Sequence, residues 1–120
     1  MAEFRTVPET FLNRVSVSAS AKAFMFPQGS GWGEMTWGET GVRVRNIACG
    51  LRALGVTNQQ RVAILSATRL EWVLADLGIL CSGGATTTVY PASTPDECAY
   101  ILQDSSTVTL FAEDDAQVAK

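Results

Sequence analysis

The pattern Thr-x-x-Glu occurs four times in this chain, at Thr6 to Glu9, Thr36 to Glu39, Thr68 to Glu71 and Thr94 to Glu97. In such a pattern the Thr hydroxyl can accept the third helical N–H while the Glu carboxylate reaches back to the Thr N–H, so two orphan donors are satisfied reciprocally. Each of the four is followed by apolar residues at helical spacing, which makes them helix starts and sets the register of the whole chain. What lies between consecutive helices is then short, and has room only for strands and turns.

After Thr6, the apolar Phe11, Leu12 and Val15 predict a short amphipathic helix ending near the Ser-rich stretch Ser16 to Ser20. Lys22 to Pro27 and Glu34 to Trp37 predict two strands of a hairpin around a glycine-rich tip, Gln28 to Gly33. A second helix is predicted from about Trp37 to Leu54, with Val44, Ile47, Ala48, Leu51 and Leu54 as one apolar stripe and Gly55 as its stop. Gly41 and Gly50 inside it each cost up to ~1 kcal/mol relative to alanine, which predicts close approach of another backbone at both positions.

Arg61 to Leu65 reads as a buried strand, Arg69 to about Cys81 as a helix stopped by Gly83-Gly84, and Ala85 to Tyr90 as another strand. That helix is apolar nearly all round, through Leu70, Trp72, Val73, Leu74, Leu77, Ile79 and Leu80, so it is predicted to be buried on more than one side. Pro95 directly after the Thr94 cap sharpens the fourth start, with Cys98, Ile101 and Leu102 facing inward. Val108 to Ala112 is predicted as a last strand, and Asp114 to Lys120 as the beginning of another helix. Alternating strands and helices imply an α/β fold: a partial, mainly parallel sheet with right-handed βαβ crossovers, preceded by a helix and a hairpin. The expected division is a leading helix and hairpin over 1–37 and an alternating portion over 38–120.

Composition excludes several functions. The 120 residues include 9 Lys+Arg against 12 Asp+Glu, a net charge of -3, which supplies no basic field for nucleic acid. The chain has no histidine, so it cannot build a Ser-His or Cys-His nucleophile pair, an imidazole acid or base, or a His-containing zinc site. Cys49, Cys81 and Cys98 are odd in number, widely spaced and set in apolar helical stretches, and read as buried free thiols of a reducing compartment. Met1 to Arg5 carries Glu3 and no long apolar run, and Val73 to Cys81, interrupted by Asp76, falls far short of a membrane span. A cytoplasmic location is expected, with peripheral attachment to a membrane left open.

The residues that could carry chemistry each have a plainer role. Gly29 to Gly33 matches neither dinucleotide nor P-loop spacing and precedes a strand, so it is read as a hairpin tip rather than a phosphate cradle. Thr86, Thr87 and Thr88 suit a strand and lack a neighbouring Gly-Lys pair. Glu71 and Asp76 lie roughly 140° apart around their helix, on different faces, which disfavours a paired-carboxylate site. Glu71 is expected to cap with Thr68, and Asp76 to pair with Arg69 or Arg61. Trp32, Trp37 and Trp72 are read as packing residues, and Lys22 and Lys120 as amines outside any recognisable site.

The run Arg61 to Trp72, RVAILSATRLEW, continued by Ala75-Asp76-Leu77-Gly78-Ile79-Leu80 and Gly84-Ala85, resembles the adenylate-forming superfamily, particularly its long-chain fatty-acid CoA ligases. Trp32 through Thr36-Trp37, Ile47-Ala48 through Gly50-Leu51, Leu54-Gly55-Val56, Tyr90-Pro91 with Ser93-Thr94, Asp104-Ser105 and Phe111-Ala112-Glu113 follow in the family's order, so the resemblance covers about residues 6–120. One departure is Thr57-Asn58-Gln59-Gln60, where the family has a turn ending Gly-Asp.

The resemblance implies a much longer parent that joins a fatty acid to ATP as an acyl adenylate, with Mg2+ shielding charge, and then forms the thioester with coenzyme A. The family's phosphate loop, Thr-Glu motif, ribose-binding acid and lid lysine all lie downstream of the matching stretch. No catalytic, cofactor-binding or metal-binding residue is therefore carried over to this chain. The expectation is an inactive N-terminal portion, cut from or truncated out of the ligase, that binds no cofactor alone and partners the C-terminal remainder. Two readings of other classes stand beside it: a dimerisation or complementation module with sticky sheet edges, and an independent nucleotide-binding α/β domain.

Overall fold

The structure is a computed structural model that describes residues 3–120. Helix α1 (Val7–Val17) leads into strands β1 (Lys22–Gln28) and β2 (Gly31–Thr36), and then helix α2 (Trp37–Ala53). Strand β3 (Arg61–Leu65), helix α3 (Leu70–Cys81), strand β4 (Ala85–Val89), helix α4 (Pro95–Asp104), strand β5 (Thr109–Ala112) and the short helix α5 (Asp115–Val118) follow. The predicted elements are all present, β3 with the bounds as predicted and the others with bounds within three residues of those predicted.

Two of the four predicted starts close as full capping boxes. Thr36 Oγ1 accepts from Glu39 N at 3.2 Å while Glu39 Oε2 accepts from Thr36 N at 3.0 Å, and Thr94 with Glu97 repeats the exchange at 3.3 and 2.8 Å. Thr6 caps α1, but Glu9 Oε2 accepts from Arg5 N instead of Thr6 N. The third expectation fails: α3 is capped by Arg69 with no side-chain cap bond, and Glu71 pairs with Arg69 rather than reaching back to Thr68. The cause is tertiary, because Glu113 Oε2 accepts from Ala67 N at 3.0 Å and holds the loop so that the helix starts one residue later. Thr94→Ala should accordingly cost about 1 kcal/mol in a urea unfolding titration, whereas Thr68→Ala should change the midpoint by no more than a surface substitution does.

The sheet has the order β4-β3-β5 and is parallel throughout, with Ile64 level with Thr88 on one side and Phe111 on the other. The chain therefore leaves β3 for its neighbour β4, then crosses back over β3 to reach β5. Right-handed crossovers in opposite directions place their helices on opposite faces, and the packing agrees. Val62 and Ile64 cluster with Leu51, Ala75 and Ile79 of α2 and α3, whereas Leu65 clusters with Val89 and with Cys98 of α4.

On the far side of α2 and α3 a further layer is built from α1 and the antiparallel β1-β2 hairpin, whose Phe11 and Met35 pack with Val44 and Leu74. This explains the all-round apolar helix: α3 turns Leu74 toward that layer and Ala75 and Ile79 toward the sheet. Its contact with α2 is made possible by Gly78, where a Cβ would lie 2.8 Å from Ile47 Cβ. Gly41 likewise meets Val15, at 2.6 Å from Cγ1, so the close neighbour is a side chain and not backbone. Gly50 faces open space, so the close approach expected there does not occur.

Other expectations change with the tertiary arrangement. Leu54 ends the predicted stripe yet is 74% exposed: it is the C-cap of α2, past Leu51, the last residue of the stripe in the sheet-side cluster, and the chain turns off at Gly55 with φ +95°. Cys98 is buried, Cys81 only half-buried and Cys49 exposed, because Cys49 falls on the face of α2 turned away from both clusters. Gln59, in the turn before β3, adopts φ +67°, a conformation that costs a non-glycine residue ~1 kcal/mol or more. The turn is secured by Gln59 N donating to Gly83 O at 2.8 Å and Thr57 N donating to Gln60 Oε1 at 2.8 Å.

Candidate functional site

In an open α/β sheet, ligands settle outside the carboxyl ends of the strands where neighbouring connections diverge to opposite faces. Here that place lies between the ends of β3 and β5. A crevice of about 220 Å3 is found there, floored by Ile64, Ala75 and Phe111 with Trp72 at its side. Its polar rim is Arg69, Glu71 and Glu113.

The rim is built by the strand exits. Glu113 N donates to Leu65 O at 3.0 Å, extending the β3–β5 ladder by one step and delivering the Glu113 carboxylate to the β3–α3 loop. One of its oxygens accepts from Ala67 N at 3.0 Å and the other from Arg69 Nη1 at 3.4 Å. Arg69 Nε donates to Glu71 Oε2 at 2.7 Å, so a single guanidinium joins both acids. That hydrogen bond holds the Glu71 carboxyl below its usual range, and the same partner raises the Arg69 guanidinium. Each carboxylate is paired with the same guanidinium, which is thereby matched by two negative groups. The arrangement fixes a loop over an apolar floor; its volume is below the roughly 300 Å3 at which small-molecule sites begin.

The other chemistry-bearing residues lie elsewhere. Gly29 to Gly33 is the hairpin turn and its first β2 residues, with Gly29 at φ +58°. Thr86 to Thr88 lie within β4. Asp76 is half-buried but gains neither expected partner, since Arg69 serves the two glutamates and Arg61 donates to Ser105 O and Gln59 O. Trp37 packs with Phe11 and Phe24 at ring separations of 6.4 and 6.0 Å, and Trp72 lies against the sheet-side cluster. Trp32 does not pack: it is 68% exposed on the hairpin. Lys22 pairs with Glu34 across the hairpin at 2.7 Å, and Lys120 Nζ donates to Pro91 O at 2.6 Å and Ser93 O at 2.8 Å. Burial raises the Cys81 thiol. Among the described residues, no group of three or more His, Cys, Asp or Glu side chains is placed to hold a metal ion.

A parallel sheet carrying helices on both faces, with its crevice where the strand order reverses, defines a doubly wound α/β layer. The chain belongs to the AMP-binding enzyme family, whose description matches residues 11–120. It is similar to the long-chain-fatty-acid–CoA ligase FadD15 of Mycobacterium bovis, with 42% identity over 85 residues, 71% of this chain and 14% of that protein. It is also similar to the mouse (Mus musculus) long-chain-fatty-acid–CoA ligase ACSBG2, with 29% identity over 115 residues, 96% of this chain and 17% of that protein. The crystal structure of a fatty acid AMP ligase from Legionella pneumophila superimposes with a TM-score of 0.85 at 25% identity, covering 95% of this chain and 20% of that one. The chain thus spans about a sixth of the curated relatives it matches, 14% and 17% of their lengths.

Proposed function

We propose that these residues form the N-terminal part of a fatty-acid CoA ligase, which activates a fatty acid with ATP to an acyl adenylate and then transfers the acyl group to coenzyme A. The observation that carries this reading is the 42% identity to a long-chain-fatty-acid–CoA ligase, on a fold shared with a fatty acid AMP ligase. In that enzyme the leading helix and hairpin (1–37) and the alternating portion (38–120) act as one piece of the large domain, held together by α3 between them.

The role of this piece is scaffolding. Its glycine-rich stretch is a hairpin, and its carboxylates at the β3 and β5 ends are committed to Arg69, so the residues present do not fit Mg2+ or a nucleotide triphosphate. No step of the reaction is assigned to them. Fatty acid, ATP, Mg2+ and coenzyme A would be handled by the C-terminal remainder, in a cytoplasmic enzyme with peripheral access to membranes. The test is a pair of assays. The chain alone should give no fatty-acid-dependent ATP–pyrophosphate exchange, and a chimera in which its 85 matching residues replace the corresponding segment of FadD15 should retain acyl-CoA formation. Exchange by the chain alone, or a folded chimera that activates no fatty acid, would sink the reading.

A further inference from the structure

The segment that follows β5, residues 113–120, is bonded to the loops leaving both other strands of the sheet. At its start the Glu113 carboxylate accepts from Ala67 N at 3.0 Å and from Arg69 Nη1 at 3.4 Å, in the β3–α3 loop. At its end Lys120 Nζ donates to Pro91 O at 2.6 Å and to Ser93 O at 2.8 Å, in the β4–α4 loop. The strand order is β4-β3-β5, so the segment runs from one edge of the sheet, past the end of β3, to the exit of β4. It spans the carboxyl edge of all three strands.

What lies between these two ends has little hold of its own. Helix α5 is four residues long and none of them is buried, and a helix that short is unstable in isolation. Its cap, Gln117 N donating to Asp114 Oδ1 at 3.0 Å, is internal to the segment. Gln117 is half-buried, but its Oε1 has no hydrogen-bond partner, and Val118 is 67% exposed. The order of the segment comes chiefly from its ends, Glu113 at the β3 exit and Lys120 at the β4 exit. When one end is fastened, the other closes as an intramolecular contact, and the ordering entropy of the residues between is lost only once. Each attachment is therefore stronger when the other is made. Among the described residues no hydrogen bond joins the two loops directly.

We propose that residues 113–120 form a two-ended strap that couples the β3–α3 and β4–α4 loops, so that freeing either loop loosens the other. The inference is independent of the ligase reading. It concerns how two loops at the carboxyl edge move together, not the chemistry carried out near them.

The measurement is amide hydrogen exchange of the purified chain, followed residue by residue by NMR. Lys120→Met removes both bonds at the β4 exit and should speed exchange at Ser93, whose N–H donates to Tyr90 O. It should also speed exchange at Ala67, whose own acceptor is untouched, by about three-fold or more, the effect of losing one modest hydrogen bond. Glu113→Ala frees Ala67 directly and should speed exchange at Ser93 in turn, because coupling between two sites is reciprocal. In the double variant Ala67 should exchange no faster than in Glu113→Ala alone. The Gln59 N–H, held by Gly83 O at the opposite edge of the sheet, should keep its rate in Lys120→Met. So should all of these amides in Lys22→Met, which removes a lysine paired on the hairpin. A Lys120→Met effect confined to the β4–α4 loop, or a Glu113→Ala effect confined to the β3–α3 loop, would overturn the proposal. An equal rise at Gln59 would do the same, since general loosening and not a strap would then link the loops.

Discussion

Gly78→Val is expected to lower the unfolding free energy by about 3 kcal/mol or more, the upper end for an overpacked core. Gly78 is buried at the crossing of α3 and α2, and a Cβ there would fall on Ile47 Cγ2, 2.8 Å from Ile47 Cβ and 3.7 Å from Ala48 N. Ile47 cannot step aside, because it packs against both the sheet-side cluster and the hairpin-side cluster. Glycine in a helix interior ordinarily costs ~1 kcal/mol relative to alanine, so a solvent-facing glycine would be improved by substitution. At this position the steric cost outweighs that gain. Gly50→Ala, which faces open space in α2, is the matched control and should raise stability by ~0.5 to 1 kcal/mol. Urea titrations followed by far-UV circular dichroism decide both, and equal effects at the two positions would refute the packing role of Gly78.

Ile79→Ala should cost about 3 kcal/mol, within the 2 to 5 kcal/mol typical of a buried isoleucine or leucine truncated to alanine. Ile79 is 0% exposed and packs with Leu51, Val56, Val62, Ile64 and Ala75, joining α2 and α3 to the central strand. The cavity would sit at the middle of the structure, with little freedom to collapse because α3 is held on its other side by Leu74. Leu54→Ala provides the contrast. It belongs to the same apolar pattern in the sequence but is 74% exposed, and its effect should stay within about 0.5 kcal/mol. A loss at Leu54 as large as that at Ile79 would mean that the end of α2 is covered in solution.

The two sides of this comparison show where sequence reasoning ends. Capping boxes are local, involving four consecutive residues, and those at Thr36 and Thr94 form as read. The one at Thr68 is equally good as a pattern but loses to Glu113, which binds the Ala67 N–H from 46 residues away. No periodicity carries that information. Asp76 shows the same limit: both arginines offered as partners are present, and each is committed to one near neighbour and to one group 44 residues away, Ser105 O for Arg61 and Glu113 for Arg69.

The candidate crevice was illegible for a related reason. Arg69 and Glu113 are 44 residues apart, and they meet only because β3 and β5 are hydrogen-bonded neighbours, an adjacency that alternation of strands and helices does not imply. The order β3, β4, β5 along the sheet would have satisfied the same sequence pattern. In the observed order, β4-β3-β5, the crossing of β4 to β5 over β3 creates the switch point and brings the two strand ends together. A signal was available in the quoted Phe111-Ala112-Glu113, an acid immediately after a strand, although nothing local pointed to its partner.

By itself the sequence determined the succession of elements, the parallel α/β class, the double-sided burial of α3 and membership of the AMP-binding enzyme family. These depend on short-range hydrogen bonding, on apolar periodicity and on motif order, all of which are written along the chain. Only the tertiary structure decided the strand order, the commitment of Arg69 to two glutamates, the exposure of Cys49 and Leu54, and the joining of the β3 and β4 exits through Glu113 and Lys120. Those depend on which faces meet in space, and so on contacts between residues that the chain holds far apart.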